Sequence, residues 1–362
     1  MILAIGYYFF TSSGGDVPPQ KPTQEVLGET ANVPTLPSVV LPNEVYFELY
    51  FTNPLDPNDK SVEQALIRKI DESKTSISMA VFEFDIDEVA QALIRAEKRG
   101  VSVRVVYDNE YSDPDPQIGE LKSAGISTVP DNRGALMHNK FFVFDEACVW
   151  TGSFNISNNA SRKNNENAIY FCSPEAAKNY SVEFEEMFAG EFGITSPSNT
   201  PHPSFVINGF TVENCFASED GCMKKVIEAV EKANSTVHFM AFSFTDDDLA
   251  NTMIRDANRG VEVEGIFESR GANTEYSECN TLLEKGYDIR LDGNPYTFHH
   301  KVIIVDGQFV IFGSFNYSAS ADKDNDENLL IWYDPALAAA FEQQYQLMKS
   351  QAFVPTGTTC TK

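Results

Sequence analysis

From residue 44 onward the apolar positions alternate between the period of a strand and that of a helix. A strand opens at Glu44, Val45, Tyr46 and Phe47. Val62, Ala65, Leu66 and Ile70 then fall on one face of a helix over 61–73. Residues 77–84, rich in β-branched and aromatic side chains, predict a buried strand. A second helix over 87–99 stops at Gly100, where a residue without Cβ suits the closing turn. A strand at 101–107 and a helix near 117–124 follow, then an apolar run that starts at Lys140 and turns at Asp145.

The second part of the chain replays this order. Helix 222–233, strand 237–244, helix 247–259, Gly260 and strand 261–267 lead to the apolar run after Lys301. Arg99-Gly100-Val101 recurs as Arg259-Gly260-Val261, 160 positions later, while His138 and His299 are 161 apart. One residue of slippage over a whole unit indicates an internal duplication. The repeats span 45–195 and 205–353, joined by a Ser- and Pro-rich linker at 196–204, in which His202 reads as a solvated loop residue. Alternating strands and helices imply an α/β fold, with a mixed sheet flanked by helices in each repeat. Like repeats are expected to pack about a pseudo-twofold axis, as the subunits of an isologous dimer do.

Residues 1–10 are apolar, but too few to cross a bilayer as a helix. They read as the remnant of a signal or anchor, followed by a Pro-, Ser- and Gly-rich tether over 11–44. The expectation is an exported or membrane-anchored protein of a bacterial envelope, with the cytoplasm as the alternative. Among the six cysteines, Cys215 and Cys222 close a short loop; a disulfide and buried free thiols both fit. No cysteine or histidine spacing suggests a metal site. The formal charge of −26 works against nonspecific binding of a long polyanion, though not against holding one phosphodiester.

The chemistry concentrates in two matched stretches. His138, Lys140 and Asp145 are followed by Ser153, Asn155 and Glu166; His299, Lys301 and Asp306 are followed by Ser314, Asn316 and Glu327 at the same offsets. Gly-Ser-Phe-Asn recurs intact at 152–155 and 313–316. Shared core packing would preserve apolar residues, but not a nucleophile, a cation, a hydroxyl, an amide and a carboxylate together.

This doubled H-x-K-x4-D pattern with its downstream Gly-Ser-x-Asn resembles the phospholipase D superfamily over roughly residues 46–350. The compact repeats resemble its bacterial phospholipase D-like, cardiolipin hydrolase-like and nuclease-like branch. The resemblance implies one active site shared by both halves, with no cofactor and no metal. It also favours the N-terminal His138 as nucleophile, with His299 as general acid and base. A neutral imidazole can attack phosphorus to give a phosphohistidine, while an imidazolium protonates the leaving oxygen. Lys140 and Lys301 are expected to clamp the nonbridging oxygens, helped by Ser153, Asn155, Ser314 and Asn316. Glu166 and Glu327 are expected to orient the histidines. Asp145 and Asp306 read as structural, bonded to local backbone or a cation. His300 reads as packed on the opposite strand face and His238 as a satisfied core histidine. Tyr107, Asp108, Phe267 and Glu268 end matching strands and are candidates for the pocket mouth.

The expected function is phospholipase D-type hydrolysis or transphosphatidylation of a phospholipid, by a monomer that meets the membrane through its N-terminus. The alternatives are a metal-independent endonuclease for single-stranded DNA or RNA, and a silent phosphodiester-binding protein. Acidity in the loop from Asp322 to Glu327 weighs against the endonuclease, partly offset by Arg162 and Lys163.

Overall fold

The computed structural model describes residues 46–56 and 58–362. The apolar segment, the tether and the first two residues of the predicted opening strand lie outside them. The first repeat runs β1 (Phe47–Phe51), α1 (Ser61–Glu72), β2 (Ser76–Val81), α2 (Asp87–Lys98), β3 (Ser102–Tyr107), α3 (Asn109–Ser112), α4 (Pro116–Ser123), β4 (Ser127–Pro130), β5 (Lys140–Phe144), β6 (Cys148–Gly152), α5 (Asn158–Arg162), β7 (Asn167–Cys172) and α6 (Pro174–Phe188). The second runs β8 (Ser204–Ile207), β9 (Phe210–Ala217), α7 (Cys222–Val230), β10 (Thr236–Ala241), α8 (Asp247–Asn258), β11 (Glu262–Phe267), α9 (Cys279–Glu284), β12 (Asp288–Leu291), β13 (Lys301–Val305), β14 (Phe309–Gly313), α10 (Ala319–Lys323), β15 (Glu327–Trp332) and α11 (Pro335–Gln351).

Each repeat folds into one mixed sheet. The strand order is β1-β7-β6-β5-β2-β3-β4 in the first, and the second repeats it as β9-β15-β14-β13-β10-β11-β12 with β8 added at the edge. β2, β3 and β4 are parallel, as are β10, β11 and β12; the other neighbours are antiparallel. Both α2 and α8 begin with acidic residues, and Gly100 and Gly260 follow with φ of 89° and 99°. That left-handed backbone is where glycine lacks the clash other residues meet.

Alternate residues of the strands face two different cores. Ile77, Met79 and Val81 of β2 pack with α1 and α2 on the outside of the first sheet, whereas Ala80 faces inward. Phe141 and Val143 of β5 also face inward, to a core that α6, α11 and the inner face of the second sheet complete. Phe171 meets Trp332 across this seam, ring centroids 5.1 Å apart. The two repeats thus share their central core, and the pseudo-twofold relation runs through it.

Three disulfides use all six cysteines: Cys148–Cys172, Cys215–Cys222 and Cys279–Cys360. The first joins directly opposed residues of β6 and β7. The last ties the C-terminal segment, beyond the second repeat's expected end, to the start of α9.

Candidate active site

The predicted strand at 77–84 ends early, at Val81, and its counterpart ends at Ala241. Past each end the chain turns Phe82 or Phe242 over the neighbouring lysine, with Lys140 Nζ and Lys301 Nζ each 4.7 Å from the ring centroid. The same rings meet His138 and His299 edge-on at 4.7 and 4.8 Å. The histidines themselves stand ahead of their strands, which begin at Lys140 and Lys301.

Their position is set by the other repeat. His138 N donates to Asp326 O and Asp326 N to Leu136 O, both at 2.9 Å. Symmetrically, His299 N donates to Asn165 O at 3.0 Å and Asn165 N to Thr297 O at 2.9 Å. Each histidine segment is therefore laced beside the segment that precedes the other repeat's glutamate. As a result His138 Nδ1 lies 2.7 Å from Glu327 Oε2, and His299 Nδ1 lies 2.9 Å from Glu166 Oε2. The carboxylates are exchanged between repeats, a pairing that offsets along the sequence do not reveal. With both Nδ1 atoms engaged, the Nε2 atoms are left to act on a substrate.

The serines expected to donate to phosphate give their protons to these carboxylates instead. Ser153 Oγ donates to Glu166 Oε2 and Ser314 Oγ to Glu327 Oε2, both at 2.7 Å. A hydroxyl has one proton, so neither has one left for a phosphate oxygen. Lys140 Nζ and Lys301 Nζ anchor on the carbonyls of His138 and His299 at 2.5 and 2.9 Å, each keeping donors in reserve. Asn155 donates to Glu83 Oε2 at 3.1 Å.

Burial dominates the electrostatics. The histidines are 4% and 6% exposed and both lysines 1%, so charge is costly throughout. Burial, with the two lysines beside them, holds both imidazoles well below their ordinary value. Desolvation pulls Lys140 down to about 8 and Lys301 to about 7. It pushes Glu166 and Glu327 up to about 8, against the pull of the lysines. An anionic diester entering here meets two preorganised ammonium groups in a dry setting.

The aspartates of the pattern sit elsewhere. Asp145 accepts from the backbone N–H groups of Lys74, Thr75 and Ser76, and Asp306 from those of Asn234, Ser235 and Thr236. Both adopt left-handed backbone, with φ of 54° and 55°. Each pins the β-hairpin end to the loop that starts β2 or β10. Partial burial raises Asp306, but these N–H donors outweigh it and hold the carboxyl at about 2.

Tyr107, Asp108, Phe267 and Glu268 do not line a mouth; all four are buried. Asp108 Oδ2 accepts from Met137 N at 3.1 Å and Glu268 Oε2 from Phe298 N at 2.5 Å, holding the backbone just before each histidine. His300 is buried, its Nδ1 3.0 Å from Asn167 Nδ2. His238 is only partly buried, stacked on Tyr345 and 2.9 Å from Glu342, so it is satisfied at the sheet surface rather than in the core. His202 is exposed. The acidic loop is less repulsive than its composition implies. Asp326 is buried against Arg133, and Glu327 is buried against His138. Glu83, which no motif marks, is a further residue of the site; an acid at the end of an apolar strand reads in sequence as a solvated cap.

Two stretches, residues 66–188 and 226–349, match the family described as "Cardiolipin synthase, PLD-like domain". A phospholipase D of Rickettsia prowazekii is 33% identical over 134 residues, which are 37% of this chain and 65% of that protein. The mitochondrial cardiolipin hydrolase of Xenopus laevis is 33% identical over 170 residues, 47% of this chain and 78% of that protein. The phosphatidylserine synthase of Haemophilus influenzae Rd KW20 superposes with a TM-score of 0.66 over 87% of this chain and 89% of that one, at 16% identity, a likeness of fold. Two exchanged His–Glu pairs, two buried lysines and a doubled domain match converge: the chain belongs to the phospholipase D superfamily, with two PLD-like domains in tandem.

Proposed function

We propose that the protein is a phosphodiesterase of phospholipase D type that cleaves phospholipid headgroups through a phosphohistidine intermediate. The observation that carries it is the pair of imidazoles, each backed at Nδ1 by a carboxylate and flanked by a buried lysine. One neutral imidazole attacks phosphorus through Nε2 while the other gives its proton to the departing oxygen. The second imidazole then takes a proton from water, or from an alcohol in transphosphatidylation, and the P–N bond breaks. Lys140 and Lys301 stabilise the charge on the nonbridging oxygens throughout. One chain supplies both half-sites, so a monomer suffices.

Support for lipid over nucleic acid comes from the names of the relatives, a phospholipase D and a cardiolipin hydrolase, and from the charge of −26. Three disulfides favour an oxidising compartment and hence export. Among the described residues no helix is long and apolar enough to cross a membrane.

The test uses purified protein in excess EDTA with phosphatidylcholine or cardiolipin vesicles, and separately with labelled single-stranded DNA. Phosphatidic acid formation is expected, with His138→Ala and His299→Ala each lowering kcat by at least about 10⁴-fold. DNA cleavage without lipid turnover would overturn the substrate, and activity surviving either substitution would overturn the two-histidine chemistry.

A further inference from the structure

The family match to the second repeat ends at residue 349, and the chain beyond α11 folds back onto the segment that leads to His299. Phe353 and Leu291 exchange backbone hydrogen bonds of 2.7 and 2.9 Å, and the Cys279–Cys360 disulfide fixes the residues that follow. A groove results, walled by Arg270, by Asn294 to Tyr296 and by Thr361 and Lys362. It adjoins the catalytic segment, because Arg270 Nη2 donates to Thr297 Oγ1 at 2.6 Å, two residues before His299. Lys163 joins it from repeat 1, its Nζ 5.4 Å from the Tyr296 ring centroid and its carbonyl accepting from Asn294 Nδ2 at 2.8 Å. Lys362 Nζ lies 4.8 Å from the Phe353 ring centroid.

Two properties set this surface apart. Its aromatic and apolar side chains face solvent: Tyr296 is 48%, Phe353 50% and Val354 65% exposed. Its charge is also opposite to that of the whole. Lys163, Arg270 and Lys362 gather here in a chain where 53 acidic residues outnumber 27 basic ones. The neighbouring Glu268 and Asp292 are buried, accepting from the backbone N–H groups of Phe298, Ser269 and Asn294. Glu275, exposed on the same loop as Arg270, offsets one of the three cations. The corresponding places beside His138 hold Glu110, Ala135 and Asp324 instead of Arg270, Tyr296 and Lys163. Both halves thus carry the catalytic groups, and only one carries a cationic, aromatic flank.

We propose that Lys163, Arg270, Tyr296, Phe353, Val354 and Lys362 form a docking surface for an anionic bilayer, beside the segment that carries His299. The choice of partner rests on the lipid phosphodiesterase reading above. Each cation held at an anionic membrane strengthens binding about 5-fold. Aromatic rings settle at the headgroup level, apolar body inward and polar edge in water. At physiological salt only charges within about 8 Å are strongly felt, so a flat bilayer meets this flank and not the charge of the whole chain. A single-stranded nucleic acid would also find cations and rings here. Val354 favours the bilayer, because acyl chains take up an aliphatic side chain on which a base has no ring to stack.

The experiment places an indole at either of two exposed positions of the full chain, since the native Trp150 and Trp332 are buried. Tyr296→Trp marks the proposed surface. Val206→Trp marks β8, at the opposite edge of the second sheet from β12, where the native valine is 61% exposed. Vesicles of mixed phosphatidylcholine and phosphatidylglycerol with brominated acyl chains should quench Tyr296→Trp and leave Val206→Trp unchanged. No quenching of Tyr296→Trp, equal quenching of Val206→Trp, or equal quenching by pure phosphatidylcholine would overturn the proposal. Adding Lys163→Asp to the Tyr296→Trp reporter installs the residue found beside His138. It should raise the vesicle concentration for half-maximal quenching by about 10-fold or more. No shift in that double variant, with folding checked by thermal melting, would also overturn it. Binding of labelled single-stranded DNA that Lys163→Asp abolishes, without quenching by vesicles, would replace the bilayer with a nucleic acid. Docking is read without turnover, so wild type that docks here yet forms no phosphatidic acid would overturn the phosphodiesterase reading and leave the surface standing.

Discussion

The two repeats differ least where they do chemistry and most where they only fill space. His, Lys, Ser and Glu recur with the same partners, each Glu bonded to the other repeat's His. Away from the site, the same place is filled by unlike means. Cys148 and Cys172 form a disulfide across β6 and β7, while the matching Phe309 and Tyr333 pack as tilted rings with centroids 4.7 Å apart. Asn139 Oδ1 accepts from Asn328 Nδ2 at 2.7 Å, whereas His300 occupies the equivalent place opposite Asn167. Thr151 and Tyr180 both donate to Asn328 Oδ1; in the other half Phe312 and Phe341 pack ring against ring. A core tolerates any filling of the right volume and satisfied polarity, but a reacting centre needs specific donors at specific points. Glu83 against Ser243 is a difference within the site.

The comparison can be tested most severely at the exchanged carboxylates. Glu166→Gln and Glu327→Gln should each lower kcat by about 10³-fold or more, since an amide favours the wrong imidazole tautomer. Equal losses, read by initial rates on vesicles, would mean that both triads serve the reaction; an effect confined to one would break the functional symmetry. Next in size, Asp145→Ala and Asp306→Ala should each destabilise the fold by about 2–4 kcal/mol in urea titrations, by orphaning backbone N–H groups. Asp306 adds a pH signature. Its folded pKa of about 2 lies below the unfolded value of about 3.9, so its stabilisation is full above that value and fades as pH falls toward 2. The wild-type minus Asp306→Ala stability difference should shrink over that window. The smallest effect is expected from Cys148→Phe with Cys172→Tyr, which gives repeat 1 the pair of repeat 2. Losing the disulfide costs about 2–4 kcal/mol and the ring pair returns about 1, leaving a modest drop in Tm with activity intact.

Much of this was legible in the chain. The 161-residue echo from His138 to His299 disclosed two repeats, and the apolar periods placed α1, α2, α7 and α8 within a few residues. Three features were not legible, each for a physical reason. The exchange of Glu166 and Glu327 depends on backbone pairing between segments of different repeats, whereas matched offsets point to partners within one. The disulfide at Cys148 and Cys172 depends on β6–β7 register, which their spacing of 24 residues does not specify. The serine hydroxyls looked available for substrate because nothing in the sequence says where a single proton goes.

The lacing of Leu136–His138 beside Asp326, and of Thr297–His299 beside Asn165, has a consequence for how the molecule can be divided. Neither repeat owns a complete triad, so cutting the chain at the linker would give two halves that each carry an imidazole without its carboxylate. Such halves could work only after finding one another, and their activity would fall with the square of dilution. In the intact chain the encounter is intramolecular, at an effective concentration set by the linker and the shared core, so specific activity is independent of how sparsely the enzyme is spread. Covalent fusion of the two halves supplies that independence.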